Sequence, residues 1–372
     1  MSHRSKPPFR ADHVGSFLRP PALLAARERF GRGEIDAIAL RQIEDEAIRE
    51  VVRFQQDLGL EAITDGEFRR TYFHVDFLEQ LEGVQMKGGI QVRFRSATGK
   101  NIDMAPPLLV VNGKVRHVRP IQVGDFNFLK SVVTRGIPKV AIPSPTMLHF
   151  RGGRAGISLE AYPDLEQFYV DVAAAYRREL QLLGDAGCRY VQLDDTNLAY
   201  LCDETMRAGA RSRGDDPDAL PRLYARLIND AIRDRPAGMT VCIHLCRGNF
   251  MSAWAAQGSY EPVAEALFRD LEVDGYFLEY DDARSGDFSP LRFVPPDKTV
   301  VLGIVSSKIG ALESAQDIRQ RVYEAARFVP LEQLCLSPQC GFSSTVHGND
   351  IAVDSQAAKL RLVMDVAREI WG

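Results

Sequence analysis

Short apolar runs of five to eight residues recur along the chain, each followed by a polar loop and then a longer stretch with apolar side chains at helical spacing. Such a pattern reads as buried strands alternating with amphipathic helices. The predicted strands are 12–17 (DHVGSF), 61–65 (EAITD), 139–144 (KVAIPS), 190–195 (YVQLDD), 240–246 (TVCIHLC), 275–281 (GYFLEYD), 299–305 (TVVLGIV) and 333–340 (QLCLSPQC). The predicted helices span about 36–58, 163–186, 218–234, 261–271, 312–328 and 354–370, with Gly59 as the stop of the first. Strands that mostly alternate with helices pair in parallel through right-handed crossovers, and eight of them can close an α/β (β/α)8 TIM barrel. Segment 83–135, rich in Gly, Val, Arg and Pro, does not fit a single crossover helix and is expected to be an insertion after strand two, in the manner of a β-hairpin. A doubly wound open sheet is the rival architecture, although the chain has neither a dinucleotide glycine fingerprint nor a P-loop.

A barrel places its chemistry at the C-terminal ends of the strands. Those ends carry Ser16, Asp65, Glu67, Ser144, Asp194, Asp195, His244, Cys246, Glu279, Lys308 and Cys340, while the strand bodies are mostly Val, Ile, Leu and Ala. Within 240–246, Cys242, His244 and Cys246 alternate and so share one face of a strand. Neighbouring strand tops lie ~5 Å apart and can share an ion, and His244, Cys246, Glu279 and Cys340 make a donor set that suits zinc. The plain alternative is that the cysteines are small core residues and the histidine a hydrogen-bonded one. Cys242 lies one repeat deeper and is assigned to the core, as are Cys188, Cys202 and Cys335. The Cys-X2-Cys spacing of structural zinc sites is absent, which favours catalysis. Two thiolates damp the ion's Lewis acidity, so it suits the activation of a substrate thiol better than that of water.

At 372 residues, the chain has room for one such catalytic domain spanning 1–372 with its insertion. A hydrophobic content of 45% and a net charge of −4 give no reason to expect nucleic acid or an anionic membrane as partner. No apolar run approaches the ~18 residues of a membrane span, and the N-terminus lacks a signal-type hydrophobic segment. Six cysteines in so long a chain are no disulfide framework, so a cytoplasmic protein is expected, with homo-oligomerisation left open.

Taken in order from DHVGSF to SPQCGFSS, these motifs resemble the cobalamin-independent methionine synthase family, specifically its C-terminal catalytic barrel and its short single-barrel members. The resemblance implies Zn2+ held by His244, Cys246, Glu279 and Cys340. It also implies a homocysteine site at Val14, Gly15 and Ser16, with Glu67 of DGEFRR and Asp194 of QLDD offering carboxylates to an ammonium. The structural alternatives are a loop ion pair of Glu67 with Arg69 or Arg70, and a helix N-cap for one of Asp194 and Asp195. The methyl-donor half departs from the family. Lys308 in GIVSSK stands where the family carries a histidine, Phe150 replaces a tryptophan associated with the folate ring, and a pterin-linked glutamate falls near Tyr200. Three roles are open to Lys308: catalytic acid to a leaving group, holder of an anionic donor or substrate, or partner of a neighbouring Asp.

The implied function is zinc-dependent alkyl transfer to a small-molecule thiol, most simply methylation of homocysteine to methionine by an alkyl donor. A second reading is alkylation of the epoxyalkane:coenzyme M transferase type, in which a sulfonate would want Arg69, Arg70 or Arg247. A non-catalytic zinc or methyl-carrier binding module is the third.

Overall fold

The computed structural model of the protein describes residues 4–89, 92–96, 101–105 and 107–372. Helices α1 (Pro21–Gly31) and α2 (Ala37–Leu58) precede the short strand β1 (Ala62–Ile63). Helix α2 starts where the Asp36 side chain accepts the Ala39 amide at 2.8 Å, and it stops at Gly59 in the left-handed conformation (φ 84°). Next come α3 (Val75–Leu78), β2 (Glu82–Gly89), β3 (Val92–Phe94), β4 (Ile102–Met104), β5 (Pro107–Arg116) and α4 (Val123–Val132). The remainder runs β6 (Ile137–Pro143), α5 (Leu165–Asp185), β7 (Tyr190–Asp195), α6 (Asn197–Tyr200), α7 (Glu204–Ser212), α8 (Leu220–Ile232) and β8 (Thr240–Leu245). It closes with β9 (Gly275–Glu279), β10 (Thr299–Val305), α9 (Ala315–Ala325), β11 (Leu334–Pro338) and α10 (Val353–Trp371).

Seven strands form one curled parallel sheet in the order β1-β6-β7-β8-β9-β10-β11. Spatial order follows chain order with no reversal, which excludes the doubly wound alternative and its switch point. The strands from β7 onward are buried almost along their whole length, as apolar parallel strands covered by helices must be. One side of the sheet packs Phe9, Val14, Ala62, Tyr190, Cys242, Phe277, Val301 and Cys335 into a core cluster, which puts two of the four cysteines assigned to the core where they were expected. Cys188 and Cys202 join the larger cluster.

Residues 12–17 do not form the regular strand that the pattern predicts. A single parallel bridge pairs Ala11 with Leu336 of β11, carried by Asp12 N–H to Leu336 O at 3.0 Å and Leu336 N–H to Arg10 O at 2.8 Å. On the other side His13 Nε2 meets Ala62 O at 2.8 Å, and Phe17 N–H donates to Gly66 O at 3.1 Å. Gly15 at φ 136° turns the backbone out of any ladder between these contacts.

Segment 83–135 is more structured than a hairpin. Strands β2 and β5 pair antiparallel, as do β3 and β4, and α4 then packs on β6. The β3 arm is tied to the loop after β8 by reciprocal backbone bonds between Arg95 and Trp254, at 2.7 and 2.8 Å. Helix 261–271 is replaced by a 3₁₀ turn, Glu261–Val263, and a π turn, Ala266–Asp270. Helices α1, α3, α4, α6 and α7 lie outside every predicted helix. Among the described residues no helix is long and apolar enough to cross a membrane.

Candidate metal centre and substrate cavity

The strand tops converge as the parallel register requires. Asp194 on β7 is in register with His244 on β8, and Glu279 at the end of β9 with Gly303 on β10. Cys246 follows β8 directly, its amide donating to Asp195 O at 3.0 Å, and Cys340 follows β11. His244, Cys246 and Cys340, all buried, bring one ligand atom each to within 4.8 Å of one another, with the two sulfurs 3.4 Å apart. Both ring nitrogens of His244 are buried without a hydrogen-bond partner. An orphaned imidazole beside two thiols fits a thiophilic cation, since two zinc–sulfur bonds of ~2.3 Å span a comparable sulfur separation. The contact between the sulfurs splits the two thiols: hydrogen bonding with Cys246, aided by His244 and opposed by burial, holds Cys340 well below its usual range, while the same contact and burial push Cys246 up.

Glu279 stands outside this three-residue cluster, for a definite reason. Lys308 Nζ donates to its Oε1 at 3.0 Å, Arg284 bonds the same oxygen, and the Arg247 amide donates to Oε2 at 2.9 Å. Burial works to push the Glu279 carboxyl up, but the Lys308, Arg284 and Arg247 cations outweigh it and hold the group well below the carboxylate range. Lys308 also faces Asp281 Oδ2 at 3.5 Å and does not line the cavity described next. Of its three open roles, the geometry provides the ion pair, with Glu279 as well as with an aspartate.

A cavity of about 460 Å³ opens on the cluster. Val14, Ser16, Glu67, Asp194, His244, Cys246 and Cys340 line one part of it, and aromatic side chains including Phe73, Phe94, Phe150 and Phe250 line much of the rest. Gly15 lies behind this wall, where a Cβ would come 3.2 Å from Glu67 Oε1. Gly341 lets the loop after β11 press on Ser16, since a Cβ there would lie 1.9 Å from Ser16 Oγ.

Glu67 is held in the left-handed conformation (φ 59°), unusual for a residue with a side chain, by Arg19 donating to its carbonyl at 2.8 Å and by its own amide on Asp65. Arg70 lies 3.6 Å from its carboxylate, so the loop ion pair exists, whereas Arg69 is engaged by Asp45 and Asp125. Burial pushes the Glu67 carboxyl up to about 7, Arg70 opposing and Asp194 adding. Burial likewise raises Asp194. Of the adjacent aspartates, Asp195 plays the capping part, accepting the Leu198 amide at 2.7 Å and the Thr146 hydroxyl at 2.6 Å.

Sequence reasoning missed Gln192, which donates to both Asp194 Oδ1 and Val14 O at 2.7 Å and so orients the carboxylate against the first-strand loop. Its position on the face of Asp194, two residues earlier in the strand, was the available signal. It also missed Arg284 and Arg151, whose roles arise from contacts distant in the chain.

A curled parallel sheet with a thiol-imidazole cluster and paired acids at its strand tops has the layout of an α/β enzyme. Residues 9–369 match the model of the cobalamin-independent synthase catalytic domain, so the chain belongs to that family and is a methyltransferase. It is 46% identical to the uncharacterised protein YxjH of Bacillus subtilis over 370 residues, 98% of this chain and 96% of that protein. It is similar to the crystal structure of a candidate vitamin-B12-independent methionine synthase from Listeria monocytogenes, with a TM-score of 0.79 and 40% identity over 99% of this chain and 100% of that one. A B12-independent methionine synthase from Shewanella sp. W3-18-1, solved with selenomethionine, shares the fold at a TM-score of 0.71 and 19% identity, covering 97% of each chain.

Proposed function

We propose that this protein is a zinc-dependent thiol methyltransferase that methylates homocysteine to methionine. The observation that carries the reading is one cavity bringing together the His244, Cys246 and Cys340 cluster and the buried pair Glu67 and Asp194. Zinc at those three ligands supplies a cation that lowers the pKa of a substrate thiol and keeps it nucleophilic near neutral pH. Glu279, held at the cluster's edge, is the fourth ligand in reserve, and Lys308 with Arg284 sets its position. Glu67 and Asp194 receive the substrate ammonium, which displaces the proton that burial keeps on Glu67. Val14 and Ser16, with Gly15 behind them, form the wall for its carboxylate, and the aromatic part of the cavity excludes water from the alkyl donor.

The whole chain works as one catalytic unit with an insertion at about 83–135. We read residues 10–17 as the eighth stave that closes the sheet into a (β/α)8 barrel, because they contact β11 on one side and the β1 region on the other. The sulfonate reading loses its named cations. Arg69 and Arg70 are paired with carboxylates, and Arg247 is buried against Tyr260, Gly258 O and Glu279 O.

The test is calorimetric proton release when homocysteine is added to zinc-loaded protein at pH 8, with coenzyme M in a parallel cell. About one proton per zinc is expected with homocysteine alone. Release with coenzyme M alone would move the assignment to the sulfonate thiol, and release with neither would refute thiol activation.

A further inference from the structure

Arg151 lines the cavity and is only half-buried, yet no carboxylate lies within ion-pair distance of it among the described residues. Of the other arginines that line the cavity, Arg93 is paired with Asp103, and Arg213 donates to Phe150 O at 3.0 Å. Arg151 Nη1 lies 3.1 Å from His74 Nε2. A guanidinium can only donate, so His74 must accept at Nε2 and carry its proton on Nδ1. Burial, with Arg151 adding, holds His74 well below its usual pKa, consistent with a neutral ring. That Nδ1 is buried and has no hydrogen-bond partner, although His74 lines the same cavity. An uncompensated guanidinium and an orphaned N–H therefore stand on one wall, an arrangement that is costly without an acceptor.

The wall is also close to the chemistry. The Tyr200 hydroxyl interacts with Arg151 and, electrostatically, with Cys246, so this side chain links the arginine to the sulfur cluster. Phe150 packs on Tyr200 with ring centroids 6.1 Å apart, which gives an apolar body a surface beside the charge. The thiol end of the cavity already has acids for an ammonium and the Ser16 wall for a carboxylate. Lys308, for which holding an anion was one of three open roles, is engaged by Glu279 and Asp281.

We propose that Arg151, His74 and Tyr200 form an oxyanion subsite that receives a carboxylate or phosphate carried by the alkyl donor. The assignment of the subsite to the donor rests on the thiol-transfer reading; the existence of an anion site on this wall does not. The subsite makes the donor an anion with an apolar body, and it separates the two substrates by charge: the ammonium toward Glu67 and Asp194, the donor's anion toward Arg151.

Isothermal titration of the zinc-loaded protein with 2-naphthoate and with its neutral counterpart 2-naphthylmethanol tests this. The parent is expected to bind the anion at least about tenfold more tightly than the alcohol, and Arg151→Met to bind the two alike. Equal binding by the parent, or a preference that survives Arg151→Met, overturns the subsite. Should Arg151→Met fail to fold, Arg151→Lys decides: keeping the charge without the planar fork should shrink the preference several-fold, and an unchanged preference overturns the role. Loss of homocysteine-induced proton release in Arg151→Met would assign the wall to the thiol's own carboxylate and overturn the donor assignment. A parent that prefers naphthoate but releases no proton with homocysteine would retain the anion site while the thiol-transfer reading fails.

Discussion

Replacing Lys308 by methionine isolates the ion pair at the edge of the cluster. The Lys308 side chain is 4% exposed, lies 3.0 Å from Glu279 Oε1 and 3.5 Å from Asp281 Oδ2, and both carboxylates are almost wholly buried. Removing one partner of a buried pair costs about 3–5 kcal/mol, because the charge left behind stays desolvated. Arg284 reaches both carboxylates, bonding Glu279 and meeting Asp281 at 2.6 Å, and Ser306 donates to Asp281 at 2.9 Å. The expected loss is therefore at the low end, about 3 kcal/mol, or about 4 °C in melting temperature for a chain of this length. Zinc beside Cys246 and Cys340 gives the freed Glu279 a new counter-charge, so zinc should stabilise Lys308→Met more than it stabilises the parent. Thermal melts of both proteins, metal-free and zinc-loaded, read the two effects together. A variant that melts within about 1 °C of the parent, or one that no longer binds zinc, would refute the view that Lys308 holds Glu279 rather than building the cluster itself.

Other substitutions probe the remaining parts. Cys340→Ser should lose zinc and homocysteine binding together, measured by chelator competition and proton release; retention of zinc at parental affinity would remove Cys340 from the ligand set. Glu67 gives a pH signature. Its carboxyl, pushed up to about 7 by burial, is largely protonated at pH 6 and largely ionised at pH 8. An arriving ammonium favours the ionised form, so homocysteine should release nearly two protons at pH 6 and about one at pH 8. Glu67→Gln should abolish the second proton, and a parent releasing the same number at both pH values would contradict the pairing. Gln192→Leu should weaken homocysteine binding about tenfold with zinc affinity unchanged, since it leaves Asp194 without its 2.7 Å donor. Equal affinity in titration calorimetry would count against a positioning role.

What the sequence made legible follows from what is local. Strands such as 190–195 and 299–305 match the predicted bounds because an apolar parallel strand is written in one continuous run. His244, Cys246 and Cys340 could be found because strand ends are readable and the parallel register lines them up. Residues 12–17 misled because their apolar alternation conceals the turn at Gly15. Helix α4 was hidden in an insertion whose Gly and Pro content argued against helices, and only Phe126 and Leu129 of its ten residues are buried. The engagement of Lys308 with Glu279 spans 29 residues and that of Arg151 with His74 spans 77; no periodicity encodes such pairs.

The measurement that bears most directly on the central claim is X-ray absorption at the zinc edge of zinc-loaded protein, before and after homocysteine. The account predicts two sulfur neighbours rising to three, with no change on adding methionine, whose thioether has no thiol proton to lose. A sulfur count that stays at two with homocysteine bound would contradict thiol activation at the His244, Cys246 and Cys340 cluster.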